Sequence, residues 1–290
     1  MKSPFQTIAL IGKYNSPEIA EPLLKLADFL ANLGLNVVVD SVTANHLSKH
    51  PYTVLELDRM VNNVELAVVL GGDGTLLNVA RMLAPFDIPL VGVNQGRLGF
   101  LTDISIDTMQ RTISGMLRGD YVTEKRMLLS ASISRGEKHV FDSLAFNDVV
   151  IHRGNNSSML EFEVRIDDEY LYNQRADGLI VSTPTGSTAY ALSAGGPILH
   201  PALEAIALVP VAPHTLSNRP IVLKSESKLE ILMHRSDEAR VRFDGHTHFD
   251  LHGDDKVLVS RYSKPVCLLH PKGHSYYHTL REKLLWNQTL

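Results

Sequence analysis

Leu66-Ala67-Val68-Val69-Leu70-Gly71-Gly72-Asp73-Gly74-Thr75-Leu76-Leu77-Asn78-Val79-Ala80-Arg81-Met82-Leu83 is the stretch on which the fold turns. Five consecutive apolar residues, too few for a helix, read as a strand buried on both faces. Three glycines around an aspartate interrupt the run. Leu76 to Leu83 then recurs at helical spacing and stops before Pro85. The unit is strand, glycine turn, helix.

The same alternation extends in both directions. Upstream, Thr7 to Ile11 is a short apolar strand closed by Gly12. Ser16 offers an N-cap, with Pro17 at the first helical position and Glu18 in the first turn. Leu23, Leu24, Ala27, Leu30 and Ala31 mark a helix face, and Gly34 stands where a C-terminal glycine belongs. Val37 to Val39 is a second strand, and a further helix is expected over Thr53 to Val61. Downstream, Leu90 to Val93 is a strand and Thr108 to Leu117 a helix before Gly119. Continuous apolar strands alternating with helices predict a Rossmann-like parallel sheet covered on both faces. Ligands of such a sheet lie beyond the carboxyl ends of its strands, so the residues after Ile11, Leu70 and Val93 carry the interest.

Past Tyr121 the rhythm changes to short, often alternating strands: Leu128 to Ser134, Val140 to Ala145, Phe162 to Ile166, Ile221 to Leu223, Leu229 to Leu232 and Val257 to Val259. Asp167-Asp168 and Asp244-Gly245 split pairs of such runs as hairpin turns. The segment Ser275 to Trp286 is helical, with Ser275 as its cap. The organisation expected is an α/β domain over 1–121, a mostly antiparallel β domain over 122–270, and a C-terminal helix over 271–290.

Composition sets the outer limits. There are 28 basic and 32 acidic side chains, a formal net charge of −4 and one cysteine in 290 residues. No basic excess exists to neutralise nucleic acid or an anionic membrane. Cys267 alone excludes an internal disulfide and a cysteine-rich zinc module. No run of about 18 apolar residues spans a membrane. The amino-terminal MKSPFQTIALIGK lacks the apolar core of a signal peptide, so an intracellular, cytoplasmic chain is expected.

Three segments can carry chemistry. Gly71, Gly72, Gly74 and Thr75, at a helix N-terminus, form an anion cradle in which glycines permit positive φ and close backbone approach. A carboxylate inside such a cradle, Asp73, suits a proton acceptor or a Mg²⁺ ligand. The plainer reading is a tight turn with a capping Asp. The loop is neither a Walker A nor a GxGxxG fingerprint. Asn94-Gln95-Gly96-Arg97-Leu98-Gly99-Phe100 offers Arg97 to phosphate and Phe100 to a base or ribose; a surface turn over a core Phe is the alternative. Ala176-Asp177-Gly178, the strand LIVS and Thr183-Pro184-Thr185-Gly186-Ser187-Thr188-Ala189-Tyr190 crowd four hydroxyls together. They suit a polar uncharged ligand, with Tyr190 as a stacking face, or else a hydroxyl-rich cap. Ser193 lies inside a helix rather than on a strand-to-helix turn, which rejects a hydrolase elbow.

Asn147-Asp148 can read a ribose diol or an adenine edge, or simply make a turn. No metal ligand set is assigned. His246 and His248, read as one strand face, lack a third partner. His270, His274 and His278 are four apart, but Pro271 and Gly273 break the helix that would align them.

In combination, GGDG after a strand, NQGRLGFL, the Asn-Asp pair and DGLIVSTPTGSTAYALSAGGP resemble bacterial NAD kinases over nearly the whole chain. GGDG alone is shared with diacylglycerol kinases, sphingosine kinases and phosphofructokinases; the long DGLIVSTPTGSTAY block is far more specific. The resemblance implies phosphoryl transfer from ATP to the adenosine 2′-hydroxyl of NAD, with Mg²⁺ accompanying ATP. It implies that Asp73 is the proton acceptor and that Asn147 and Asp148 hold the dinucleotide, an Asp standing where many members have Glu. It further implies that Arg175, Asp177, Thr188, Ala189, Tyr190 and Ser193 line the NAD site; Gly74 and Phe100 are expected there from their own segments. His246 falls where relatives often carry Gln. A homodimer or homotetramer is expected, as is a final helix returning to the first domain. A diacylglycerol-type lipid kinase would need a membrane-docking surface that the sequence lacks, and a phosphofructokinase would continue with a second βα half. A catalytically silent dinucleotide sensor is the competing reading from a different class.

Overall fold

The short apolar runs of the first half align in one sheet. In a computed structural model describing residues 3–14, 16–60, 63–96, 98–154, 158–215, 217–235 and 239–286, the strand order is Thr53–Leu55, Asn36–Asp40, Thr7–Gly12, Leu66–Leu70, Leu90–Asn94, Val266–Pro271 and Tyr121–Arg126. The first five strands pair parallel, and Leu268 registers with Leu90 in a further parallel pair. Ile104–Ser105 adds a short parallel strand beside Val93 and Asn94. Leu66 to Leu70 is buried at every position, as a strand covered on both faces must be.

The helix Ala20–Asn32 presents Leu23, Leu26, Ala27 and Leu30 to this sheet, and Met109–Leu117 adds Ile113 and Met116 to the same core. Each such side chain contributes about 1.5–3 kcal/mol on burial. Ala31, expected on that face, is exposed, and Leu24 is half-buried. Ser16 caps a short 3₁₀ turn over Pro17–Ile19 rather than the α-helix itself, and its side chain makes no capping bond. Gly34 takes a φ of +81° at the helix end.

One helix expected from the sequence is not formed. Thr53–Leu55 extends the sheet at its edge, pairing with Val38 to Asp40, and a 3₁₀ turn follows over Leu57–Arg59. Edge pairing supplies the hydrogen bonds that a weakly periodic segment cannot secure as an isolated helix.

The second half forms two six-stranded antiparallel sheets. One runs Ile221–Lys224, Ala205–Val211, Gly178–Ser182, Asp148–Arg153, Ala239–Phe243, Thr247–Leu251. The other runs Glu169–Ala176, Leu160–Ile166, Leu229–Arg235, Asp255–Arg261, Leu129–Arg135, Lys138–Ala145. Side chains from both, among them Phe162, Ile231, Val181 and Phe243, share one core. Both predicted hairpins are present: Asp167-Asp168 is a two-residue turn with φ of 51° and 67°, and Asp244-Gly245-His246 a three-residue turn in which Asp244 and Gly245 take φ of 50° and 72°.

The chain divides into two units: Met1–Lys125 together with Val266–Leu290, and Arg126–Pro265. The final helix, Tyr276–Leu284, therefore belongs to the first unit, as does the strand before it. The Ser275 side chain accepts the His278 N–H at its start. Among the described residues no helix is long and apolar enough to cross a membrane.

Candidate functional site

In the first unit, the glycine turn ends the Leu66–Leu70 strand and opens the helix Asp73–Leu83. Gly71 N–H donates to the Val93 carbonyl at 2.8 Å and Thr75 N–H to the Gly72 carbonyl at 3.0 Å, so both are consumed within the fold. That leaves the Asp73 and Gly74 N–H of the first helical turn, which have no intrahelical acceptor, as the donors open to an anion. The expected positive φ is absent: none of these glycines adopts it, and Gly72 is extended at φ −96°, ψ −178°. Gly72 and Gly74 instead leave open space where a side chain would stand.

Asp73 is held from the neighbouring loop. Its Oδ1 accepts the N–H of Leu101 (3.0 Å) and Thr102 (3.2 Å) and the Thr102 hydroxyl (3.0 Å). Among the described residues, its Oδ2 accepts one hydrogen bond, from the N–H of Phe100 at 2.8 Å. Charge-assisted bonds of this kind fix a carboxylate firmly. One oxygen is saturated and the other retains a lone pair. Phe100 therefore reaches the site through its backbone, and its side chain is half-buried. Arg97 lies outside the described residues.

In the second unit a cavity of about 800 Å³ opens over the sheet that contains Asp148–Arg153. Asn147, Asp148, Asp177, Ala189 and Tyr190, all named from the sequence, line it. Arg175, Thr188, Ser193 and His246 are not among its lining residues. Ser193 is the last residue of the short helix Tyr190–Ser193 and is exposed. His246 sits in the hairpin turn rather than on a strand face with His248, and its Nδ1 lies 2.8 Å from the Asp244 carbonyl.

Asp148 begins a strand instead of making a turn, and it is buried. Burial, and then the nearby Asp244 carboxylate, push its pKa up from 3.8 to about 7. Asp244 accepts the N–H of Phe146 (2.9 Å), Asn147 (2.7 Å) and Asp148 (3.1 Å), which fixes the backbone bearing the Asn-Asp pair. Asp177 pairs with Arg153 at 3.0 Å.

The hydroxyl cluster does different work from the ligand contact read in the sequence. Thr183 Oγ1 donates to the Phe146 carbonyl at 2.6 Å and accepts the Gly186 N–H at 3.1 Å. Ser187 Oγ donates to the Pro184 carbonyl at 2.6 Å and accepts the Leu199 N–H at 2.9 Å. Thr185 Oγ1 accepts from the buried Arg126 guanidinium at 3.2 Å. These hydroxyls buttress the turn, and Ala189 and Tyr190 are what the turn presents to the cavity. Gly186 permits this stack, because a Cβ there would lie 2.2 Å from the Asn147 carbonyl oxygen.

Sequence reasoning missed the other wall: Val150, His152, Arg153, Val211 and Arg242, with Asp244 read only as a turn residue. One signal was available. Arg240 and Arg242 alternate with the buried Val241 and Phe243, and Arg242 registers opposite Val150 in the paired strand.

A glycine-framed carboxylate at a helix N-terminus in a parallel α/β unit, with a cavity lined by Asp148, Asp177, Arg153 and Arg242 in an antiparallel β unit, suits a phosphotransferase acting on a nucleotide. Comparison with known proteins narrows the class. Residues 8–121 match the ATP-NAD kinase N-terminal domain model and residues 146–270 the ATP-NAD kinase C-terminal domain model. The chain is 58% identical over 287 residues to an NAD kinase of Nitrosospira multiformis, covering 99% of this chain and 98% of that one. It is 49% identical over 290 residues to the NAD kinase of Thiobacillus denitrificans, covering 100% of both. Among solved structures, yeast NADH kinase complexed with NADH superposes with a TM-score of 0.89 at 27% identity, covering 99% of this chain and 89% of that one. An Archaeoglobus fulgidus NAD kinase in complex with ATP gives 0.75 at 25%, covering 96% and 98%. The chain belongs to the ATP-NAD kinase family.

Proposed function

We propose that the chain transfers the γ-phosphoryl group of ATP to the adenosine 2′-hydroxyl of NAD, with Asp73 as the proton acceptor. The observation that carries this reading is the asymmetric hold on Asp73: three donors on Oδ1, one on Oδ2, and a lone pair left on Oδ2. A ribose hydroxyl is a weak nucleophile at neutral pH, and a positioned carboxylate accelerates its attack by about 10²–10⁴-fold. As the 2′-oxygen bonds to the γ-phosphorus, the bond from that phosphorus to the bridging oxygen breaks and its electron pair leaves with ADP. The hydroxyl proton passes to Asp73 Oδ2.

The cavity of the second unit takes the dinucleotide. Asn147 and Asp148 face its ribose and base edges, Tyr190 supplies a stacking surface, and Asp177 is held in place by Arg153. Arg175, Thr188, Ser193 and His246 are further substrate contacts carried by family resemblance, and Phe100 and Arg97 are contacts read from their segment of the sequence. Gly71, Gly72, Gly74 and Thr75 shape the phosphate end. Since the remaining lone pair on Asp73 Oδ2 takes the proton, Mg²⁺ arriving with ATP would be held by the phosphate oxygens rather than by Asp73. Bound Mg²⁺ supplies charge neutralisation to the phosphates. The names of the relatives, and the NADH and ATP in the two neighbouring structures, support this substrate pair. A cytoplasmic homodimer or homotetramer completes the reading.

The test is purified protein with ATP, Mg²⁺ and NAD, with NADP detected through an NADP-specific dehydrogenase. NADP formation is expected. NAD binding by calorimetry without ATP-dependent NADP would make the chain a dinucleotide sensor instead.

A further inference from the structure

We propose that Asp103, His270 and His274 form a binding site for a late first-row divalent cation of the zinc class. The site lies wholly within the first unit and is built by three segments. Asp103 follows the loop that holds Asp73. His270 stands near the end of the strand Val266–Pro271, and His274 in the turn after it. Pro271 and Gly273 do break any helix here, but the break folds the chain back. Gly273 takes a φ of +90°, His274 N–H donates to the Pro271 carbonyl at 3.1 Å, and the two imidazoles stack with centroids 4.0 Å apart.

The donor atoms converge. His270 Nδ1 and His274 Nδ1 lie 3.0 Å and 2.8 Å from Asp103 Oδ2, and one ligand atom from each residue falls within 4.8 Å of the others. Bonds of about 2.0–2.1 Å in a tetrahedral site place neighbouring ligand atoms roughly 3.3 Å apart. The two Asp103–His separations therefore need to open by only a few tenths of an ångström. The side chains of His270, Asp103 and His274 are 2%, 8% and 12% exposed, so water does little to satisfy them. Among the described residues, the buried Asp103 Oδ1 has no hydrogen-bond partner. An orphaned carboxylate oxygen is costly, and a cation shared with two imidazoles removes the cost.

Outside the ligand atoms stands Glu124, whose Oε2 lies 3.1 Å from His270 Nε2. A carboxylate behind a histidine fixes the Nε2–H tautomer and turns the Nδ1 lone pair to the ligand side. With neutral imidazoles, a dication balances the charges of Asp103 and Glu124. Two nitrogens and one carboxylate suit zinc, while magnesium prefers an all-oxygen set, so this site is separate in chemistry from any Mg²⁺ carried by ATP. Three protein ligands leave a fourth position for water. Because Leu101 and Thr102 hold Asp73, an ion on Asp103 would tie that loop to the end of the Val266–Pro271 strand.

The test uses the full chain, stripped with chelator and titrated with Zn²⁺ alone against a chromophoric competitor, and with Co²⁺ for its visible d–d bands. One equivalent per chain is expected, with a raised Tm and a tetrahedral Co²⁺ spectrum, and no effect of Mg²⁺ on either. His274→Ala, in a turn and checked for folding by circular dichroism, should lower affinity at least about tenfold, and Glu124→Gln by about 10–100-fold. Absence of a saturable equivalent overturns the proposal. So does unchanged affinity and spectrum in folded His274→Ala and Asp103→Asn.

Discussion

Asp148 and Asp244 are joined by two hydrogen bonds: Asp148 N–H donates to the Asp244 carboxylate Oδ1 at 3.1 Å, and Asp244 N–H donates to the Asp148 carbonyl at 3.1 Å. The arrangement sets one carboxylate to work on main-chain amides and leaves the other facing a cavity. Asp244 is compensated by three N–H donors. Asp148 is buried beside it, and its pKa rises to about 7, from burial first and from Asp244 second.

This displacement makes stability depend on pH in a stated direction. Unfolded, Asp148 loses its proton near pH 3.8; folded, it keeps the proton to about 7. The folded state binds the extra proton in between, so the contribution is fully present below about pH 4 and is lost as pH rises through about 7. Asp148→Asn cannot lose a proton, and its stability relative to the parent should improve across this window. The slope is at most about 1.4 kcal/mol per pH unit. Urea unfolding of both proteins at pH 5 and pH 8 checks it, and a parallel pair of curves would contradict the shift.

Catalysis should depend on how Asp73 is held as well as on its charge. Asp73→Asn is expected to lower kcat by about 10²–10⁴-fold, the range of general-base help, with NAD binding by calorimetry nearly intact. Thr102→Val keeps the volume of a fully buried residue but deletes the hydroxyl donated to Oδ1. It should lower kcat about tenfold and leave the KM for NAD within about twofold, since a charged hydrogen bond contributes about 1.5–3 kcal/mol. Wild-type turnover in Asp73→Asn would remove Asp73 as the base.

The dinucleotide assignment of the second unit rests on Asp148. Asp148→Ala should raise the KM for NAD more than that for ATP, because the residue lines the cavity and lies in a different unit from the glycine turn. Steady-state kinetics with each substrate varied in turn separates the two constants. Equal effects would take Asp148 out of the NAD site.

Strong periodicity carried most of the fold. Leu66 to Leu70 and Leu90 to Val93 read as buried strands because nothing polar interrupts them, and Asp244-Gly245 reads as a turn because few other pairs tolerate two positive φ values. Thr53 to Leu55 does not, since a three-residue edge strand owes its form to its neighbour. At the candidate site, residue type singled out Asp73, Asn147 and Asp148 as proposals, but partners distant in sequence decide what each hydroxyl and carboxylate contacts. Thr183 and Ser187 turn inward to main-chain groups, and Asp244 reaches back nearly a hundred residues to the amides of 146–148. His270 and His274 meet only because a turn that breaks helical spacing restores their proximity by another route.

Gly99 supplies the sharpest steric test of the Asp73 arrangement. A Cβ at Gly99 would stand 2.1 Å from Asp73 Oδ1 and 2.3 Å from Thr102 Oγ1, distances that no relaxed structure sustains. Gly99 also donates its N–H to the Thr102 carbonyl at 2.9 Å, so the loop cannot simply swing aside without losing that bond. Gly99→Ala must therefore displace either the carboxylate or the three amides that hold it. A misplacement near 1 Å costs about a hundredfold in rate when a reacting group depends on its geometry. The expected result is a kcat lower by about that factor, with binding of NAD to the second unit preserved in calorimetry. Gly96→Ala, where a Cβ meets nothing within 4 Å, serves as the control and should leave Tm unchanged. Full activity in Gly99→Ala would show that turnover does not require Asp73 to be held against the 100–102 amides.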